Sequence, residues 1–273
     1  MNIYNYIIIS FFLINIIAKL FKRDDKRVIC IIFGLELILI SALRMSTVGA
    51  DLQNYLVRFD VIAETPWNNL NILNELWGFE YGFLLLNKII SIFTNDSRIL
   101  IYVTSFFINF SFSYFIYKYS EKPYLSFYLF VAFNFFGTSL NLVRLFLAGS
   151  ILLYSIKYLE EKKLAKFVLI VLLATTFHSS ALIFIFAYFL KDFKLNEKFY
   201  FIMAIIGGIF LLFGDSILTI MLKYGSSFYY DRYGENVGSG DGLMFLIFLV
   251  ILLIFIIFTS FQGKKIDPRG LYF

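Results

Sequence analysis

The sequence holds one cysteine, one histidine and three prolines in 273 residues, and only 16% of it is charged. A single thiol, Cys30 inside an apolar run, excludes a disulfide framework and a thiolate cluster. With no second histidine or cysteine to join it, His178 does not complete a zinc site, and no metal is expected. The glycine-rich "GSGDG" at 238–242 has no strand before it and no Gly-Lys-Ser/Thr, so no nucleotide site is encoded and no cofactor is expected. The net charge of +5 does not point to nucleic acid, because the bases sit at the ends of apolar runs.

What is present is hydrocarbon. The chain is 60% hydrophobic and 21% aromatic, where a soluble domain averages about 45–50% apolar and 25% charged. Continuous apolar runs define an all-α, polytopic membrane bundle; a membrane β-barrel would show short alternating segments. The runs lie at about 3–21, 28–43, 99–117, 123–139, 141–158, 164–177, 178–190, 199–222 and 243–261. The expected architecture is a single transmembrane domain over 1–273, with about nine spans plus a short interfacial or re-entrant helix at 79–93 in an outer loop at 44–98. The first run lacks a basic leader and reads as a retained helix.

The basic residues orient the bundle. If "KRDDKR" (Lys22–Arg27) is cytoplasmic and 164–190 is a hairpin turning near His178, seventeen of the 24 bases fall inside. Read as one span, 164–190 would put Lys191, Lys194 and Lys198 outside, so the hairpin is preferred. The N-terminus is then outside and the C-terminus cytoplasmic, in a bacterial inner membrane. Arg44, Arg58, Lys88, Arg98, Arg144, Lys223 and Arg232 remain outside. Arginine dominates this set, which suits either planar recognition of phosphate or carboxylate or pairing with the acids of the 44–80 loop.

A few polar residues stand out against this background. Arg144 follows Thr138, Ser139 and Asn141 near the outer end of its helix, about 5 Å below the helix start. It is read either as a snorkelling or ion-paired arginine or as an anion ligand. His178, among Thr175, Thr176, Ser179 and Ser180, is either an interhelical hydrogen bond or a general base. Glu80 opens the 79–93 helix, where it either favours the N-terminus or acts as an acid or base. Asp51 either caps, pairs with Arg44, or is a third acid–base candidate. Leu52, Tyr55, Leu56 and Phe59 have helical spacing.

Together these motifs resemble the EpsG family of exopolysaccharide and capsule biosynthesis. The resemblance rests on Arg44-x4-Gly49-x-Asp51-x3-Tyr55, then "FEYGFLLLN" with Glu80 and Gly82, then Asn141-x2-Arg144-x2-Leu147-Ala148, then "FHSSALI" with His178. Leu145 departs from the glutamine usual after the helix-opening arginine. The resemblance implies a Wzy-like glycosyltransferase that polymerises polyprenyl-pyrophosphate-linked oligosaccharide repeat units at the outer face of the membrane. Its other implied partners are a chain-length regulator and a flippase of the same pathway. Arg144, Arg44 and Arg58 would hold pyrophosphate, and His178, Glu80 or Asp51 would take the acceptor's proton. A transporter or flippase of lipid-linked oligosaccharide, or a non-catalytic assembly partner, is the alternative.

Overall fold

The computed structural model describes residues 3–20, 25–49 and 51–190, with positions 205, 208, 213 and 216 beyond them. The chain divides into two compact units, Met1–Asp192 and Phe193–Phe273. The continuous helices among the described residues all belong to the first. Apart from those four positions, the spans expected at 199–222 and 243–261 lie outside the described residues.

Every regular element described is helical. Helix α1 (Ile3–Leu20) and helix α2 (Lys26–Ala42) correspond to the first two apolar runs. Asp25 starts α2 by accepting the Arg27 amide. Within the hydrocarbon the Ser10 hydroxyl donates to the Glu36 carboxylate, a polar link between α1 and α2.

The expected outer loop is itself helical. Helix α3 (Leu52–Glu64) buries Leu52, Tyr55, Leu56 and Phe59, the stripe expected from their spacing. A 3₁₀ turn at Trp67–Asn69 and helix α4 (Leu70–Trp77) come next, neither foreseen from sequence. Helix α5 (Tyr81–Phe93) matches the short helix expected at 79–93. Tyr55, Phe59, Phe79 and Phe83 form one apolar core with Leu100 and Ile108 of helix α6 (Arg98–Tyr119), and with Val143 and Phe146 of helix α9 (Val143–Glu160). Burying each phenylalanine is worth about 1.5–3 kcal/mol against an aqueous reference, which fastens the loop onto the bundle.

Helix α6 is the one helix among the described residues long and apolar enough by itself to cross a membrane. The run expected as a single span at 123–139 is interrupted. Helix α7 (Pro123–Ala132) ends, Asn134 turns left-handed at φ 60°, and helix α8 (Phe135–Asn141) starts again. Asparagine tolerates this region better than most residues, so the break needs neither glycine nor proline.

Helix α10 (Leu164–Thr175) rises to a turn at Phe177–His178, and the chain returns as a 3₁₀ segment (Ser179–Phe186) and helix α11 (Ala187–Leu190). The Tyr188 hydroxyl donates to the Lys162 carbonyl at 2.8 Å, so the two arms close into the hairpin read from the lysines. Ala148, Ala174 and Ala181 line its contact with α9, where small side chains let backbones approach.

Three contacts align the helix ends. Arg27 Nε donates to the Tyr117 hydroxyl at 3.0 Å, Tyr119 donates to Glu160 at 3.3 Å, and Tyr188 reaches Lys162. The start of α2 and the ends of α6 and α9 therefore share one boundary with the lysine-rich turn at Lys162–Lys163. Arg44, Arg98, Arg144 and His178 sit at the opposite ends of their helices. From Arg144 to Glu160 the helix rises about 24 Å.

Candidate functional site

The site is assembled around five consecutive residues, Gly78 to Gly82. Gly78 ends α4 in the left-handed region, φ 63°, and its carbonyl accepts from Arg144 Nη1 at 3.0 Å. Phe79 is 2% exposed, and its ring lies 4.6 Å below the Arg144 guanidinium and 4.9 Å from that of Arg58. Trp77 adds a second ring 5.1 Å from Arg58. Cation–π contacts of this kind contribute about 0.5–2 kcal/mol each, so one aromatic holds two like charges near each other.

Glu80 is the hub. It stands at the N-cap position of α5 but makes no side-chain capping bond to that helix. Its Oε2 instead meets Arg144 Nη1 at 2.6 Å. Its Oε1 lies 3.2 Å from His178 Nδ1 and accepts the Ser179 amide at 2.9 Å. The carboxylate thus serves the N-terminus of the 3₁₀ arm, not that of its own helix. Burial alone pushes the Glu80 carboxyl up. The His178 hydrogen bond, the Ser179 amide and the Arg144 charge reverse this and hold it at about 2. At neutral pH it is ionised, with both oxygens engaged.

Gly82 completes the clamp. Its amide donates to the Thr176 carbonyl at 2.7 Å, and a Cβ there would stand 2.6 Å from that oxygen and 2.3 Å from Thr176 Oγ1. Only glycine lets the Thr176–Ser179 turn approach α5 this closely.

Arg144, Glu80 and His178, far apart in sequence, are thereby brought together, with Arg58 sharing the Phe79 ring. Arg144 is ion-paired, one of its expected readings, yet its Nε is buried with no acceptor among the described residues. Asp51 precedes α3 without a side-chain capping bond, and the Tyr55 amide donates to its carbonyl at 3.2 Å. Its loop reaches the end of α8: Gly49, at φ 116°, lies against the Leu140 carbonyl, where a Cβ would stand 2.6 Å away. Arg44 is placed differently. Its Nη1 donates to the Ser41 carbonyl and hydroxyl, both at 3.0 Å, and approaches Ser105 Oγ at 3.5 Å. Burial lowers its pKa to about 10, and its Nε and Nη2 are enclosed without acceptors among the described residues. Its hydrogen bonds run to Ser41 and Ser105 and not to Glu80.

Lys88, one of the two lysines expected outside, is occupied structurally: its Nζ donates to the Ile62 and Ala63 carbonyls, at 3.2 and 2.7 Å, at the end of α3. Tyr55 stands in the sequence motif but is not expected in the site from sequence. Its hydroxyl, pushed up by burial and drawn down by the neighbouring Arg144, belongs to the cluster. Phe79, Gly78 and the Ser179 amide are likewise site groups that sequence reasoning misses. Only the glycines leave a signal, two of them flanking an acidic helix start.

The described unit is that of a polytopic helical membrane protein with a charged cluster where helix ends meet. The model of the EpsG family matches residues 27–271, nearly the whole chain, and the protein belongs to that family. Membership carries a membrane location and a role in polysaccharide assembly. No curated protein and no solved structure matches the chain.

Proposed function

We propose that the protein polymerises polyprenyl-pyrophosphate-linked oligosaccharide repeat units by glycosyl transfer at the Glu80 cluster, on the outer face of the bacterial cytoplasmic membrane. The observation that carries this reading is the convergence of Arg144 and His178 on one ionised carboxylate, with Arg58 on the same aromatic ring. Guanidiniums gathered at one aromatic ring suit a pyrophosphate, whose charge grows as it leaves. The Arg144 side chain keeps 20% of its surface exposed, which leaves its guanidinium open to a phosphate oxygen.

In the reaction, an acceptor sugar hydroxyl attacks the anomeric carbon of the donor chain. The bond from that carbon to the phosphate oxygen breaks, its electron pair leaves with polyprenyl pyrophosphate, and the hydroxyl proton passes to His178 Nε2. Glu80 holds Nδ1, fixing which ring nitrogen faces the acceptor. In this assignment Glu80 is a positioning residue, because both its oxygens are committed. Asp51 and Arg44 stand as a second base and a third anion ligand. The donor is already activated, so the transfer draws on no nucleotide.

The test is the pool of lipid-linked saccharides in a host lacking this gene, sized by mass spectrometry beside the intact strain. Single repeat units on polyprenyl pyrophosphate at the outer leaflet, without long polymer, are the expected result. Units confined to the inner leaflet would indicate a flippase, and undiminished long polymer would overturn the proposal.

A further inference from the structure

One cavity takes no part in the Glu80 cluster. It is a cleft of about 540 Å³ between α2 and α6. Its floor is made by small residues: Gly34 lies so close to Ser113 that a Cβ would meet the hydroxyl oxygen at 2.6 Å. The helices stay joined at both ends, by Arg27 on Tyr117 and by Ser41 on Ser105 at 2.7 Å. Between those contacts runs a surface trough with Ile31 and Leu35 on one wall and Phe106 and Phe110 on the other. The α6 wall is rigid, since Phe106 stacks on Phe110 at 5.4 Å and Phe110 on Tyr114 at 6.4 Å. The α2 wall faces outward, Ile31 being 59% and Leu35 52% exposed.

One end of the cleft is charged. Arg27 lines it, with Nε on the Tyr117 hydroxyl, and Lys26 stands 5.7 Å over the same ring. The nearby carboxylate is Asp25, whose Oδ1 accepts the Arg27 amide. Among the described residues the Arg27 side chain hydrogen-bonds through Nε alone. Its two terminal nitrogens are the pair that grip a phosphate in a planar fork.

Length and position identify the occupant. From Arg27 to Ile38 the cleft rises about 16 Å, close to half of a hydrocarbon core about 30 Å thick. That is the depth of one leaflet. Its charged end lies at the boundary shared by Tyr117, Tyr119 and Glu160, opposite the end of α9 that carries Arg144.

We infer that the α2–α6 cleft is a lipid site, seating one acyl chain of an anionic glycerophospholipid with its phosphate at Arg27. The site lies apart from the Glu80 cluster and does not depend on the polymerase assignment.

Native mass spectrometry of the full chain, released from detergent after titration with phosphatidylglycerol or phosphatidylcholine of matched chains, tests it. The wild type should retain the anionic lipid roughly tenfold better. Arg27→Ala should erase that preference. Leu35→Trp, at an exposed wall position that places no demand on the core, should reduce retention of both lipids while leaving the melting curve in place. Equal retention of the two lipids by the wild type, retention unchanged in both variants, stronger retention of a polyprenyl phosphate, or a dimer that buries the cleft would each overturn the inference.

Discussion

Gly82→Ala changes one hydrogen for a methyl group on a residue with no ionisable side chain, and it should nearly silence the protein. The added Cβ would lie 2.6 Å from the Thr176 carbonyl oxygen, and ordinary contact begins near 3.4 Å. The Thr176–Ser179 turn must therefore retreat by about 0.8 Å, because the carbonyl is backbone and has no rotamer to escape into. The Gly82 amide then loses its 2.7 Å bond to that oxygen, worth about 0.5–1.5 kcal/mol. The same retreat stretches the 3.2 Å contact between His178 and Glu80 past hydrogen-bonding distance. A displacement near 1 Å at a reacting centre costs about 10²-fold in rate. Polymer made by a gene-deleted host complemented with this variant, normalised to membrane-inserted protein, should fall by about that factor, with loss of stability kept to about 1–3 kcal/mol. Polymer at wild-type rate and length would refute the clamp, and with it the assignment of His178.

Arg144→Lys keeps the charge but loses the planar fork, and polymer formation should drop by about 10²-fold with little change in insertion; wild-type output would show that charge alone suffices. Glu80 gives the fold a defined pH dependence. Its folded pKa of about 2 lies below its ordinary 4.5, so its stabilisation, about 3 kcal/mol, is complete above about pH 4.5 and disappears as pH falls toward 2. Melting temperatures in detergent between pH 6 and 3 should show this slope in the wild type and lose it in Glu80→Gln; identical slopes would contradict the ion-pair geometry. Lys88→Met strips the donor from the Ile62 and Ala63 carbonyls and should destabilise by about 1–3 kcal/mol. It should leave per-molecule polymer output unchanged, whereas a role for Lys88 in substrate binding would cut output without moving the melt.

Much of the fold and site is legible in the sequence because a membrane makes polar residues conspicuous. Arg144 and His178 stand out from apolar neighbours, and the lysines at 157–166 and 191–198 require a hairpin that Tyr188 and Lys162 close. The convergence is not legible. Glu80 is 64 residues from Arg144 and 98 from His178, and nothing local requires a carboxylate at a helix start to serve another helix. Phe79 reads as core from sequence and is core by burial; its second role depends on two guanidiniums arriving from elsewhere. Arg44 is as conspicuous as Arg144, yet its Nη1 is turned to Ser41 and Ser105. Lys88 carries the charge of a ligand-binding residue and does the work of a helix cap. Asn134 breaks an expected span because a single left-handed residue leaves hydropathy unchanged.

Reconstitution tests the assignment of glycosyl transfer most directly. The purified full chain in liposomes, supplied with a polyprenyl-pyrophosphate-linked repeat unit alone, should yield saccharides of two and more units and release polyprenyl pyrophosphate in step with each bond formed. Arg144→Ala and His178→Ala should abolish both products together. Chain growth undiminished in those two variants, or repeat units that cross the bilayer without joining, would contradict the assignment of glycosyl transfer to the Glu80 cluster.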